Sequence, residues 1–172
     1  MRAAVNLFPV QLHQQDFAAR FLAIAQMRAQ GFSGLDVEIT EGVLLEDPLF
    51  LAATLQTLRD DGVRVAIDDF GTGYSSLSRL SQLPVDTLKI DRSFITRLVR
   101  DPTAQAVVST IVSLARAFKL GTVAEGVESI EQVNLLQSLG CEQSQGFLHS
   151  RPVPADQFEV LLATHQNNQA VR

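Results

Sequence analysis

Apolar and polar positions follow two alternating periods along the chain. Residues 3–7 (AAVNL) form a short apolar run that ends near an amide, Asn6, before Pro9 stops pairing; they read as a buried strand. Residues 16–30 carry Phe17, Phe21, Ile24 and Ala25 at helical spacing, and Gly31 stands where a left-handed cap is wanted. Residues 35–40 (LDVEIT) alternate, with Leu35, Val37 and Ile39 on one face and Asp36, Glu38 and Thr40 on the other. A helix from Pro48 with a Leu51, Leu55, Leu58 stripe ends at Gly62, and residues 63–73 (VRVAIDDFGTG) resume the strand period. A short helix through Leu77 and Leu80 leads to a strand at residues 86–91 (DTLKID), where Leu88 and Ile90 oppose Thr87, Lys89 and Asp91. The longest helix starts at Asp101-Pro102 with Val107, Val108, Ile111, Leu114, Ala115 and Phe118 on its apolar face. A brief strand at 122–124 delivers Glu125 and Gly126, Ser129 and Gln132 fit a capping box, and Gly140 ends the helix between. Residues 141–147 read as a sixth strand, and Phe158, Leu161 and Leu162 lie on a last helix before a polar tail at 165–172.

Strands alternating with helices through short connections predict a parallel sheet covered by helices. An open doubly wound sheet and a closed barrel both satisfy that pattern. Asn6, Glu38, Asp68, Lys89, Glu125 and Gln145 each fall at or near the carboxyl end of a different strand. In a barrel those ends ring one mouth, whereas in an open sheet they lie along a line, so the distribution favours the barrel.

Asp68 and Asp69 are the sharpest chemical signal. Adjacent carboxylates repel, and a divalent cation is a common compensation; a solvated acidic turn is the plainer alternative. Gly71-Thr72-Gly73 lets the backbone turn close to a ligand. The Asp-Phe-Gly of protein kinases is set aside, because no His-Arg-Asp loop or glycine-rich nucleotide loop precedes it. Lys89 on the inward side of a strand needs a partner, for which Asp91 or a phosphate could serve.

Composition narrows the partners. The 172 residues, 46% of them hydrophobic, suffice for one sizeable core. A net charge of -5 without a basic run argues against a nucleic-acid polymer, though not against a phosphorylated small molecule met through metal ions. A single cysteine, Cys141, excludes an internal disulfide and fits a reducing compartment. With no apolar run of membrane-crossing length and no signal-peptide pattern at the start, the expected location is the cytoplasm.

Six runs resemble the EAL-domain family in order and spacing: VNLFPVQ (5–11), LDVEITE (35–41), IDDFGTGYSSL (67–77), PVDTLKIDRSFI (84–95), VAEGVES (123–129) and QGFLHSRPV (145–153). These are bacterial phosphodiesterases that open cyclic di-GMP to its linear dinucleotide. The resemblance implies an α/β fold, a (β/α)8 TIM-type barrel with about six of eight strands present, over residues 1–164, and a two-metal site for Mg2+ or Mn2+. By position, Asn6, Glu38 and Asp68 correspond to ligands of the first metal. Asp69 corresponds to a ligand of the second and to a general base. Lys89 would hold the attacking water or a phosphate oxygen, Glu125 would act at the metals, and Gln145 would support that shell. Glu41 resembles the glutamate that anchors the loop after Asp69, and Glu128 resembles a further acidic residue behind the ligands. Hard oxygen donors suit magnesium or manganese, and His13, His149 and His165 show no ligand spacing. Near the metals Lys89 would either have its charge held by Asp91 and neighbouring carboxylates or act partly neutral.

The pattern also departs from the family. The Glu-Ala-Leu motif, its metal-binding glutamate and the arginine that follows it are absent, since the chain begins at what would be the third strand, and Phe8 stands where a small hydroxyl residue is usual. Two missing strands would leave unpaired edges at residues 3–7 and 143–147 and open an apolar interior to water. Association, as a homodimer or higher, and weak or absent activity of this chain alone are the expectations, with a possible sensory or cyclase domain upstream. The alternative function is an inactive module that binds cyclic di-GMP or a protein partner.

Overall fold

The computed structural model describes residues 3–27, 34–45, 48–73 and 77–169. Its elements in order are β1 (Ala3–Leu7), α1 (Pro9–Leu12), α2 (Phe17–Met27), β2 (Leu35–Thr40), a 3-10 turn (Glu41–Leu45), α3 (Pro48–Asp60), β3 (Arg64–Phe70), α4 (Leu77–Leu80), β4 (Thr87–Ile90), α5 (Arg92–Arg97), α6 (Pro102–Ala117), β5 (Gly121–Ala124), α7 (Ile130–Leu139), β6 (Gln143–Ser144) and α8 (Ala155–Gln169). All strands pair in parallel, in sequence order from β1 to β6, as repeated right-handed strand and helix units require.

Strand alternation sorts the side chains into two layers. Val37, Ile39, Val65, Ile67, Leu88 and Ile90 point outward and are almost completely buried. They meet the apolar stripes of the helices, including Leu55, Leu58, Val108, Ile111 and Ala115, to form the core. The opposite, concave face carries Asp36, Glu38, Arg64, Thr87, Lys89 and Gln143 around a trough of about 500 Å³. An apolar interior was expected there; it is polar instead, because the charged member of each alternating pair occupies this face.

Local signals explain the helix ends. Asp101 caps α6 by accepting from Thr103 N at 2.8 Å, with Pro102 at the first helical position where no N–H is needed. Ser129 and Gln132 form the reciprocal capping box of α7, and Gly140 ends it in the left-handed conformation at φ 84°. The Gln132 amide also donates to Ile95 O at 2.9 Å, tying the β5–α7 connection to α5.

Several expectations are corrected. In β1, Ala4, Val5 and Asn6 are exposed rather than buried, because among the described residues this strand has a neighbour on one side only. Pro9 does stop pairing, but it also starts α1; α5 and the 3-10 turn likewise escape detection because single turns show too little periodicity. The sixth strand spans two residues, not seven, since the chain folds under Val127, where Val127 N donates to Gln145 O and Leu148 N to Val127 O, each at 3.0 Å. The final helix spans Ala155–Gln169 and so takes in residues 165–169 of the polar tail. Residues 28–31, at the end expected for α2, lie outside the described residues. Cys141 is buried and free, with its thiol donating to Gln143 O at 3.4 Å. Among the described residues, no helix is long and apolar enough to cross a membrane.

Candidate active site and metal centre

The site is built on an irregularity in β3. Strict alternation would send Asp68 and Asp69 to opposite faces of the sheet. Between the pairs Ile67↔Leu88 and Phe70↔Ile90, however, β3 advances three residues while β4 advances two, so Asp68 and Asp69 together oppose Lys89. Asp69 accommodates the extra residue with φ 54°, a left-handed conformation that Asp tolerates better than most side chains. The bulge brings both carboxylates to one mouth, where oxygens of Asp68, Asp69 and Glu125 lie within 4.8 Å of one another.

Lys89 sits beneath this cluster, 4% exposed. Its ammonium lies 2.7 Å from Glu38, 3.0 Å from Asp68 and 2.6 Å from Glu125. Burial opposes the charge, but the hydrogen bonds to Glu125, Glu38 and Asp68 outweigh it and hold Lys89 above the usual lysine range. In the metal-free fold the charge of Lys89 is thus held by Glu125, Glu38 and Asp68. Asp91 does not hold that charge. Its carboxylate caps α5, accepting from Ser93 N at 3.0 Å, and hydrogen-bonds to Asp69.

Around one ammonium stand four carboxylates, Glu38, Asp68, Asp69 and Glu125. The excess of negative charge shows in their protonation. Desolvation, then the charges of Asp68 and Asp91 and a hydrogen bond to Asp91, push the Asp69 carboxyl above its ordinary value. Burial raises Glu125 too, against the pull of Lys89. For Asp91, the hydrogen bonds to Ser93, Asp69 and Arg92 outweigh desolvation and lower the carboxyl. Uncompensated, hard oxygen donors converging within coordination reach fit magnesium or manganese.

The remaining predicted residues divide. Asn6 is exposed on β1, in register with Glu38, and so shares the concave face with the cluster. Glu41 is buried; its Oε2 accepts from Gly71 N at 2.9 Å and Gly73 N at 3.1 Å, pinning the chain directly after the aspartate pair. Tyr74 and Ser75, farther along that loop, lie outside the described residues. Gln145 lines the trough, held by Gln145 N donating to Ala124 O at 2.8 Å. Gly146 is required by contact, since a Cβ there would stand 2.2 Å from Val127 O and 2.3 Å from Val127 N. Glu128 is exposed; its N–H donates to Gln132 Oε1 at 2.8 Å, and its carboxylate does not join the cluster. Sequence reasoning passed over Asp36, Arg64 and Thr87, which line the lower trough; alternation with Glu38, Ala66 and Lys89 is the signal that places them there.

The EAL domain family model matches residues 1–152. The chain belongs to the EAL domain family. It is 38% identical over 159 residues to the cyclic di-GMP phosphodiesterase PdeR of Escherichia coli, covering 92% of this chain and 24% of that protein. The solved EAL domain of Mycobacterium smegmatis DcpA superposes with a TM-score of 0.86 at 44% identity, over 94% of this chain and 72% of that one. Klebsiella pneumoniae BlrP1, solved with manganese and cyclic di-GMP, superposes with a TM-score of 0.73 at 35% identity, over 87% of this chain and 38% of that one. The six-stranded parallel sheet is thus part of the TIM-type barrel of EAL structures. The chain spans about a fifth to a quarter of the length of the curated relatives it matches.

Proposed function

We propose that this EAL domain hydrolyses cyclic di-GMP to the linear dinucleotide with two divalent cations, Mg2+ or Mn2+, as part of a longer or associated protein. The observation that carries the reading is the convergence of Asp68, Asp69 and Glu125 within 4.8 Å above the buried Lys89. Asn6, Glu38, Asp68, Asp69 and Glu125 would hold the ions. When bound, the cations polarise a water and offset the negative charge that gathers on the phosphate and its leaving oxygen.

Asp69 serves as general base, receiving a proton from the attacking water. Asp91, anchored at the N-terminus of α5, lies beside Asp69 and fixes the position of its carboxyl. Lys89 stays protonated and offers its ammonium to a phosphate oxygen, with Glu38, Asp68 and Glu125 fixing its position. Glu41 holds residues 71–73, so that the bulge carrying Asp68 and Asp69 keeps its shape. Gln145 borders the same cavity from β6. The outer edges of β1 and β6 support association, which sedimentation over a range of concentrations would reveal.

The test is incubation of the purified chain with cyclic di-GMP and Mn2+, followed by chromatographic separation of ring and linear product. Linear product that disappears in Asp68→Asn is expected. Product unaffected by Asp68→Asn, or no product even from the longer protein that carries this domain, would refute the assignment.

A further inference from the structure

One exposed aromatic residue follows directly on the carboxyl end of β1 and takes no part in the metal chemistry. Phe8 is the single residue between the end of β1 and the start of α1, and it is 65% exposed. Scattered exposed apolar residues are ordinary on a protein surface, so exposure alone decides nothing. Phe8 differs in how it is held and where. Its N–H donates to Gln11 Oε1 at 2.9 Å, its carbonyl accepts from Gln11 N at 2.9 Å, and Pro9 restricts the next residue. The backbone under the ring is fixed before any ligand arrives, so little ordering cost remains.

Its location follows from register. Asn6 pairs with Glu38 and Leu7 with Ile39, which puts Phe8 level with Thr40, and Thr40 pairs with Asp68. Phe8 therefore lies in the row of Asp68, two strand spacings away, roughly 10 Å. Leu7 is buried in the core, and Phe8 keeps an extended backbone, so alternation carried one residue past β1 places Asn6 and Phe8 on the side that bears Glu38. A phosphate held at the aspartate pair places its attached nucleoside within this distance.

Resting on the phosphodiesterase reading, we propose that Phe8 is a specificity-determining residue that stacks on a guanine base of the dinucleotide. A flat ring offers a purine face-to-face contact that is tolerant of register and independent of metal ligation. Val10, 69% exposed on α1, offers the alternative of an apolar docking patch shared with Phe8, and the two roles respond differently to substitution. Stacking requires an aromatic ring; apolar docking requires only bulk.

The chain contains no tryptophan, so Phe8→Trp introduces a sole indole at the mouth. Cyclic di-GMP is titrated by calorimetry and by fluorescence in the presence of Ca2+ into the full chain and its Phe8→Ala, Phe8→Leu and Phe8→Trp variants. Melting curves establish that each variant is folded, as the exposed position leads one to expect. Stacking predicts roughly tenfold weaker binding for both Ala and Leu, binding at least as tight as wild type for Trp, and indole quenching by cyclic di-GMP but not by ribose 5-phosphate. Unchanged affinity in Phe8→Ala, full affinity in Phe8→Leu, or an unquenched indole would overturn the assignment of Phe8 while leaving the function intact. Failure of the wild-type chain to bind the dinucleotide would instead overturn the functional reading, and the role of Phe8 with it.

Discussion

Replacing Lys89 with methionine removes the ammonium while keeping the length and apolar stem of the side chain. Three carboxylates at 2.6–3.0 Å then lose their common counter-charge. Removing one partner from a buried ion pair costs about 3–5 kcal/mol, because the remaining charge stays desolvated. Here the carboxylate side chains keep 15–18% exposure and water can reach them, which places the cost near the lower end, about 3 kcal/mol. In a chain of 172 residues this amounts to a fall in melting temperature of about 6–12 °C, measured by circular dichroism without divalent metal. Added Mn2+ should raise the melting temperature of Lys89→Met more than that of the wild type, because the cation then supplies the charge that the ammonium had supplied. A metal-free variant that melts with the wild type, or an equal Mn2+ effect in both, would refute the idea that Lys89 balances this cluster.

Other consequences follow from the same geometry. Glu41→Ala orphans the Gly71 and Gly73 N–H groups; because that loop is exposed to water, the expected loss is about 2 kcal/mol in urea unfolding, with a fall in hydrolysis of cyclic di-GMP. Gly146→Ala drives a methyl into the Val127 backbone and should cost about 3 kcal/mol, the top of the range for overpacking; a stability change below 1 kcal/mol would contradict the close approach. Asp69 is raised above its ordinary carboxylate value of 3.8 in the metal-free fold, so below that raised value Mn2+ competes with a proton there. Mn2+ affinity should therefore climb as pH rises through that raised value and then level off, and Asp69→Asn should flatten the profile. The sign reverses for stability without metal: a carboxyl raised by folding stabilises fully below its unfolded value, and this contribution is lost as pH rises through the folded one.

The outward face of the sheet was legible because alternation in 35–40 and 86–91 is a direct image of a strand with one face against helices. Caps were legible for the same local reason: Asp101-Pro102, Ser129 with Gln132, and Gly140 act within a few residues of themselves. What escaped was set by distant partners. The polar lining of the concave face depends on which side of every strand turns inward. Exposure of β1 depends on its having a single neighbour. The β3 bulge depends on register against β4. The partner of Lys89 could not be chosen from sequence either. Asp91, two residues away, is drawn to the N-terminus of α5, a helix too short to show a period, while Glu38, Asp68 and Glu125 arrive from three other segments.

The most direct test of the metal centre is the count of Mn2+ bound per chain, read from the paramagnetic resonance of free Mn2+ during titration at neutral pH. Specific binding is expected, abolished by Asp68→Asn and left intact by Glu131→Gln, an exposed change in the first turn of α7. No specific binding by the wild type, or equal binding by Asp68→Asn, would show that the carboxylates of β3 and the segment after β5 are not a metal site.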